Sequence, residues 1–366
     1  MDPRTQKLAQ VLVHYSLKLK KGDIFRIQGE YATLPLMTAV FAEALKVGAF
    51  PFTRVLIPEH EELFLKNGTD EQFKFVAPGM KADVEKMDAF LHIWGNQNTR
   101  NLSGVNPKRQ ATFRKFQRPI ADKLFKRIES KTLRWCGTLF PTQAQAQEAD
   151  MSLSDWEDFV YNAGHVAQGD PVKHWMKVRK EQDRLVKILN RVDRIHVRSK
   201  DTDLKMRVKG RKWVNCAGEE NFPDGEVFTS PIEDTVEGVI RFSYPAIYLG
   251  REVEDVRLEL KKGKVVKETA EKNQGYLTDM LNMDKGARFV GEFAIGTNYD
   301  IKRFSKDILF DEKIGGTVHM AVGRGFAESG GKNVSVLHWD MICDMKKDAE
   351  ILADGKVIYR NGRFTI

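Results

Sequence analysis

The sequence predicts an α/β amino-terminal domain followed by a β-rich α+β carboxy-terminal domain. With 366 residues, 42% of them hydrophobic and 30% charged, the chain is long for one domain and has an ordinary globular composition. Helical apolar stripes alternate with short apolar runs up to about residue 190. Beyond that point, alternating apolar and polar residues dominate. We therefore predict two domains, residues 1–190 and residues 191–366.

The amino-terminal half follows a β-α-β succession. Apolar residues at helical spacing predict helices at residues 8–19, 34–47 and 174–192. Gly48 is expected to end the second of these helices. Short apolar runs predict strands at residues 24–28, 52–57, 89–95 and 132–140. Ser154 and Glu157 have the spacing of a capping box and predict the start of a further helix.

The carboxy-terminal half is dominated by strand patterns. Alternation predicts strands at residues 195–199, 203–210, 236–242, 255–266 and 289–296. The fourth of these segments is a hairpin that turns at Lys262-Gly263. Asp354-Gly355 and Asn361-Gly362 predict tight turns, and one helix is expected at residues 274–281.

Charge and composition argue against several classes of protein. The net charge of +8 comes from basic residues spread among acidic ones, so we expect no nucleic-acid partner. No apolar run is long enough to span a bilayer, and the amino terminus lacks the apolar core of a secretory signal. The three cysteines form no CxxC pair, which indicates a reducing compartment and a cytoplasmic protein.

Common catalytic motifs are also missing. His60 begins an HExxH-like stretch, but Phe64 stands where the second histidine belongs. The sequence contains no GxSxG motif, no phosphate-binding loop and no GxGxxG after a strand. We therefore expect neither a serine hydrolase nor a dinucleotide-binding protein.

The segment from Asp311 to Asp340 combines histidines, carboxylates and glycines, which are the components of a divalent-metal site. His338 and Asp340 are two apart in a strand-like run, so they point to the same side. Glu292 lies among apolar neighbours, where an acid is costly unless it is paired or binds a metal. By its own context, Glu226 looks like a surface acid. The alternative is that neither His319 nor His338 binds a metal, one histidine covering the edge of an apolar core and the other lying on the surface.

Four segments in order resemble peptidase family M29, the thermophilic-type metallo-aminopeptidases. They read DGEVFTSP, GEFAIGTN, ILFDEKIGGTVHMAVG and HWDMICDM, and the likeness extends over nearly the whole chain. The resemblance implies an α/β amino-terminal domain and a centre of two divalent metal ions (Zn, Co, Mn or Mg) in the carboxy-terminal domain. It also implies a homodimer that acts on peptides with a free amino terminus.

Carried over residue by residue, the resemblance places six metal ligands at Glu226, Glu292, Glu312, His319, His338 and Asp340. It leaves open whether Glu292 or Asp340 bridges the ions, and whether Glu292 or Glu312 moves the proton. The chain departs from the family at Phe326, where a tyrosine commonly stands, so a catalytically weak homologue is one alternative.

A second alternative comes from another class of enzyme. His319, His338 and Asp340 alone would match the triad of a mononuclear Fe(II) ring-cleaving dioxygenase on a similar scaffold. The three glutamates would be superfluous for a single iron, and they therefore favour the dinuclear peptidase.

Overall fold

The structure is a computed structural model that describes residues 2–366. Contacts divide the chain into two compact units, one formed by Met1–Val172 with Gly218–Phe222, the other by Lys173–Ala217 with Pro223–Ile366. The predicted fold class is confirmed, because the first unit holds a parallel sheet with helices and the second is built of antiparallel sheets. Among residues 2–366, no helix is long and apolar enough to cross a membrane.

The first unit contains a five-stranded parallel sheet. In spatial order its strands are Phe50–Leu56, Ile24–Glu30, Ala89–Trp94, Arg134–Leu139 and Asn221–Phe222. Its α-helices are Pro3–Gln10, Leu34–Lys46, Pro58–Asn67, Asp70–Lys74, Pro78–Lys86, Pro107–Glu129, Gln143–Glu148 and Leu153–Ala163. The π-helix Val11–Ser16 continues the first α-helix, and the 3-10 helix Tyr31–Thr33 precedes the second.

Two helix ends in this unit test the capping signals of the sequence. Gly48 has φ +78°, as expected of a glycine that follows a helix. The predicted capping box at Ser154 and Glu157 is wrong. The helix begins at Leu153, two residues earlier than expected. Its cap is Ser152, whose Oγ accepts a hydrogen bond from the Asp155 N–H at 3.1 Å.

The second unit contains an eight-stranded antiparallel sheet. In spatial order its strands are Lys264–Thr269, Arg257–Lys261, Glu237–Arg241, Thr202–Arg207, Arg194–Ser199, Glu350–Ala353, Lys356–Arg360 and Arg363–Phe364. The predicted tight turns are confirmed, since Asp354 and Gly355 have φ +46° and +84°, and Asn361 and Gly362 have +47° and +82°. The unit also contains the ribbon Ala246–Tyr248 with Arg251–Val253, the helices Pro171–Leu189, Gln274–Leu281 and Ile308–Asp311, and the 3-10 helix Ala327–Ser329.

A second antiparallel sheet of this unit, called the site sheet below, has five strands. In spatial order they are His338–Asp344, Thr317–Gly323, Val290–Gly296, Glu226–Thr229 and Val214–Cys216. One face of the site sheet packs into the main apolar core, to which it contributes side chains such as Phe293, Met320 and Trp339. Because successive side chains alternate, the residues between them form the opposite face.

Candidate metal centre

Five of the six residues that the resemblance assigned lie on the opposite face of the site sheet. Glu226, Glu292 and His319 are on three adjacent strands, and His338 and Asp340 are on the fourth. The alternation predicted for His338 and Asp340 is confirmed, since Trp339 between them is buried in the apolar core.

Small residues separate these side chains across the strands. Glu292, Ala321 and Asp340 are direct neighbours in one row of the sheet, and Ala294 stands beside His319. A larger residue at Ala321 would fill the space between the two carboxylates. The small side chains therefore leave a hollow over this face, rimmed by imidazoles and carboxylates.

A β-bulge turns Glu292 toward the hollow. Val290 pairs with Val322 and Glu292 pairs with Ala321, so one extra residue, Gly291, is accommodated in the strand. If Gly291 instead took a regular place in the ladder, opposite Ala321, Glu292 would pair with Met320 and point into the apolar core. The carbonyl of Gly291 accepts a hydrogen bond from the Ser230 hydroxyl at 2.7 Å, which anchors the bulge.

Glu292 stands between the two histidines. Its Oε1 lies 3.6 Å from His319 Nε2, and its Oε2 lies 3.5 Å from His338 Nε2. Glu226 Oε2 lies 3.2 Å from His319 Nε2, and Asp340 Oδ2 lies 3.3 Å from His338 Nε2. Two groups of possible metal-binding side chains result, Glu226 with His319 and Asp340 with His338, and Glu292 belongs to both.

Glu312 reaches the same hollow from outside the sheet. It directly follows the short helix Ile308–Asp311, and one of its oxygens lies within 4.8 Å of ligand atoms of both His319 and Asp340. Glu312 also forms an ion pair with Lys313, whose side chain is fully buried. All six assigned residues are thus brought together from five separate chain segments.

Burial corrects the local interpretation of two residues. Glu226 has 7% of its surface exposed and is therefore not the surface acid that its own context suggested. His319, at 1% exposure, contacts two carboxylates instead of capping an apolar core. Neither outcome could be predicted locally, since each depends on which strands become neighbours in the sheet.

The electrostatics of the cluster follow from charges crowded in a buried space. Burial raises the pKa of Glu226 well above its usual value, and it raises that of Glu292 as well. Burial alone would lower the pKa of His319 and His338, but the surrounding carboxylates raise both to about 10. Burial alone would raise the pKa of Asp340, but His338 lowers it to about 2. Extra positive charge would therefore be stabilised here.

Several buried polar atoms of the cluster are unsatisfied. Glu226 Oε2, His319 Nδ1 and Asp340 Oδ1 have no hydrogen-bond partner among residues 2–366. Glu226 Oε2 is close to His319 Nε2, but the contact lacks hydrogen-bond geometry. Such atoms are rare in protein interiors unless an ion or water satisfies them. Carboxylate and imidazole donors fit a divalent first-row metal ion.

Sequence reasoning missed two charged side chains beside the cluster. Asp224 is 2% exposed and Lys313 is fully buried, and the carboxylates of Glu312, Glu226 and Asp224 all favour the charged form of Lys313. No clear local signal marked the lysine, because Lys313 directly follows Asp311 and Glu312 and reads as part of a short charged run of the kind that usually lies at the surface.

Phe326, where the chain departs from the family pattern, lies at the edge of the hollow. The centre of its ring is 4.9 Å from that of His338 and 5.5 Å from that of Phe228. The residue is 36% exposed, so it is not a fully packed core aromatic.

Comparison with known proteins agrees with these observations. The model of the thermophilic metalloprotease family M29 matches residues 1–364. Aminopeptidase AmpS of Bacillus subtilis (strain 168) is 27% identical and aminopeptidase T of Thermus aquaticus is 28% identical, each alignment covering 100% of both chains. The solved structure of wild-type AmpT from Thermus thermophilus has the same fold, with a TM-score of 0.86 at 23% identity over 99% of each chain.

Proposed function

Because this chain belongs to the thermophilic metalloprotease family M29, we propose that it is a metal-dependent aminopeptidase that holds two divalent ions on the face of the site sheet. The observation that carries the dinuclear part of the proposal is the position of Glu292. Each of its two oxygens faces a different histidine, at 3.6 and 3.5 Å. A carboxylate shared in this way is suited to bridge two ions.

The donor set supports a specific arrangement. Glu226 and His319 would hold one ion, His338 and Asp340 would hold the other, and Glu292 would be shared. Mixed carboxylate and imidazole donors suit Zn, Co or Mn, and Mg remains the fourth candidate. When bound, a pair of divalent ions polarises the scissile carbonyl and activates a water at neutral pH.

Glu312 is the best candidate for the residue that moves the proton. Unlike Glu292, it lies outside the sheet at the rim of the cluster, and its side chain is 17% exposed. Its ion pair with buried Lys313 holds the carboxylate beside the cluster, where it could accept a proton and pass it to the leaving amine. We therefore assign the bridging role to Glu292 and proton transfer to Glu312.

The two alternatives are supported to different degrees. The ring-cleaving dioxygenase is not favoured, since the family is one of metalloproteases. A slow homologue stays open, because Phe326 lies beside His338 and offers no hydroxyl to the reaction.

We further propose that the protein acts in the cytoplasm as a homodimer on peptides with a free amino terminus. The three cysteines are free, which suits a reducing compartment. The dimer and the substrate class rest on the likeness to family M29.

The proposed function is tested by metal analysis together with turnover. Protein reconstituted with Zn, Co or Mn should bind about two ions per chain and release p-nitroaniline from leucyl-p-nitroanilide but not from its N-acetylated form. His338→Ala should lose metal and turnover, whereas His60→Ala, in a helix of the other unit, should keep both. One ion per chain with full turnover would contradict the dinuclear site. Equal cleavage of the acetylated substrate would contradict the aminopeptidase.

A further inference from the structure

We propose that a cavity next to Asp340 binds the side chain of the first substrate residue and selects apolar side chains about the size of leucine, methionine or phenylalanine. The cavity has a volume of about 200 Å³ and lies within the second unit. The inference rests on the proposed function and deepens it by naming the substrate class.

The position of the cavity follows from the alternation of one strand. Asp340 and Ile342 point to the same side of strand His338–Asp344, and both line the cavity. Asp340 also belongs to the cluster of carboxylates and histidines. The amine and the scissile carbonyl of a first residue are attached to one α-carbon. When they meet the cluster, its side chain must enter a space adjoining that cluster.

Just over half of the residues that line the cavity are apolar, and the other four are charged. Pro245, Ile247, Phe304, Ile308 and Ile342 contribute five of its nine lining residues. Such a surface gains free energy by taking apolar groups out of water.

The polar part of the wall does not single out a charged side chain. Asp311 Oδ1 accepts hydrogen bonds from the amide and hydroxyl of Ser305 at 2.7 and 2.8 Å, and Asp307 Oδ1 accepts from the amide of Leu309 at 3.1 Å. Both acids are therefore engaged in shaping their own loop. Lys306 lies in the same wall and adds the opposite charge. We accordingly expect basic and acidic first residues to be poor substrates.

The volume sets the size of the group that fits. An apolar cavity of about 150 Å³ in another protein holds one benzene molecule. At about 200 Å³, the cavity next to Asp340 accepts a branched aliphatic side chain, a thioether or a phenyl ring. Alanine would leave most of the space empty.

The cavity is held in shape by contacts outside it. The amide of Ser243 donates to the carbonyl of Ile342 at 3.1 Å, which keeps the segment leading to Pro245 beside the site strand. The ring of Phe304 stacks on Tyr244 with 5.3 Å between centres. A site that is already formed loses little free energy in ordering when it binds.

The test fills the cavity with Ile247→Trp and, as a second variant, Ile308→Trp at its exposed mouth, where the added bulk is easily accommodated. The matched control is Ile57→Trp, an exposed isoleucine of the other unit. The kcat/KM values of alanyl-, leucyl-, methionyl-, phenylalanyl-, lysyl- and glutamyl-p-nitroanilide are compared. Calorimetry measures the binding of L-leucinamide and L-alaninamide, which does not require turnover.

In the wild type and in Ile57→Trp, leucyl, methionyl and phenylalanyl substrates should exceed the alanyl substrate by at least about tenfold in kcat/KM. Filling the cavity should reduce that ratio to about one, because the larger side chains then lose the space that favours them over alanine. A ratio that both filled variants leave unchanged, or a preference for lysyl or glutamyl substrates, would overturn the inference while leaving the aminopeptidase intact. If no substrate is turned over, the proposed function fails. Even then, the proposed role of the cavity is supported if L-leucinamide binds more tightly than L-alaninamide and this difference is lost when the cavity is filled. Equal binding of the two amides would refute it.

Discussion

Lys313→Met should strongly destabilise the second unit. The Lys313 side chain is fully buried and forms an ion pair with Glu312, and the carboxylates of Glu226 and Asp224 lie near enough to favour its charged form. Methionine keeps the length of the chain but removes the charge, and thus leaves buried acids without compensation. Breaking a buried pair on one side costs about 3–5 kcal/mol. Because Glu312 retains 17% side-chain exposure, we expect a cost of about 3 kcal/mol, at the lower end of that range.

The assay is amide hydrogen exchange in strands Val290–Gly296 and Thr317–Gly323 of chelator-treated protein. Exchange reports the local free energy of opening even if the two units unfold separately. A loss of about 3 kcal/mol corresponds to exchange more than about a hundredfold faster. The double variant Glu312→Gln with Lys313→Met should recover part of the loss, because one of the uncompensated charges is then gone.

Lys346→Met provides the matched control. Lys346 lies 3.7 Å from Asp344 in the same unit, but its side chain is 44% exposed. Exposed ion pairs contribute about 0–1 kcal/mol. Equal, small effects of Lys313→Met and Lys346→Met would refute the claim that the buried lysine compensates the acids.

Three further predictions concern the site. Glu292→Gln should lower the metal content measured by elemental analysis from about two ions to one or fewer, because an amide is a poor bridge, whereas exposed Glu328→Gln should change nothing. Phe326→Tyr should raise kcat roughly tenfold or more with KM nearly constant, since a hydroxyl beside His338 would act on the developing oxyanion; an unchanged kcat would show that it does not. Burial raises the pKa of Asp307 from 3.8 to about 6. The folded protein then holds this proton more tightly than the unfolded chain, so the group stabilises the fold below about pH 4 and loses that contribution as the pH rises through about 6. Asp307→Asn should make the urea unfolding midpoint vary less with pH between about pH 4 and 7. If the midpoint varies with pH equally in the variant and the wild type, Asp307 is not the source of that variation.

Local sequence patterns predicted some side chains of the site, but not those whose position depends on strands distant in the sequence. His338 and Asp340 were placed on one side by strand alternation alone, and Glu292 stood out because its neighbours are apolar. Glu226 gave no such signal. Its burial arises because its strand pairs with Val290–Gly296, which lies more than sixty residues later in the chain. The contact of Lys313 with this group of acids could likewise not be predicted, since the resemblance, and not the local pattern, placed Glu226 in the site.

The fold was likewise predicted where its signals are local and missed where they are weak. The parallel strands and the tight turns at Asp354 and Asn361 carry their signals within a few residues. The helices between Pro58 and Glu129 went unpredicted. The longest of them has no fully buried residue, so its apolar positions are few and form only a weak stripe.

The extra residue at Gly291 also has a consequence for how such a site could arise or be lost. Glu292 faces the site and Phe293 faces the core only because Gly291 is bulged out; in a regular strand in register with Val290, Glu292 would face the core and Phe293 the site. A one-residue shift of register in this part of the strand would thus bury the carboxylate and place a phenyl ring on the site face without altering any side chain. Insertions and deletions, and not only substitutions, are therefore the changes by which an ordinary antiparallel sheet of this type could gain or lose a reactive surface.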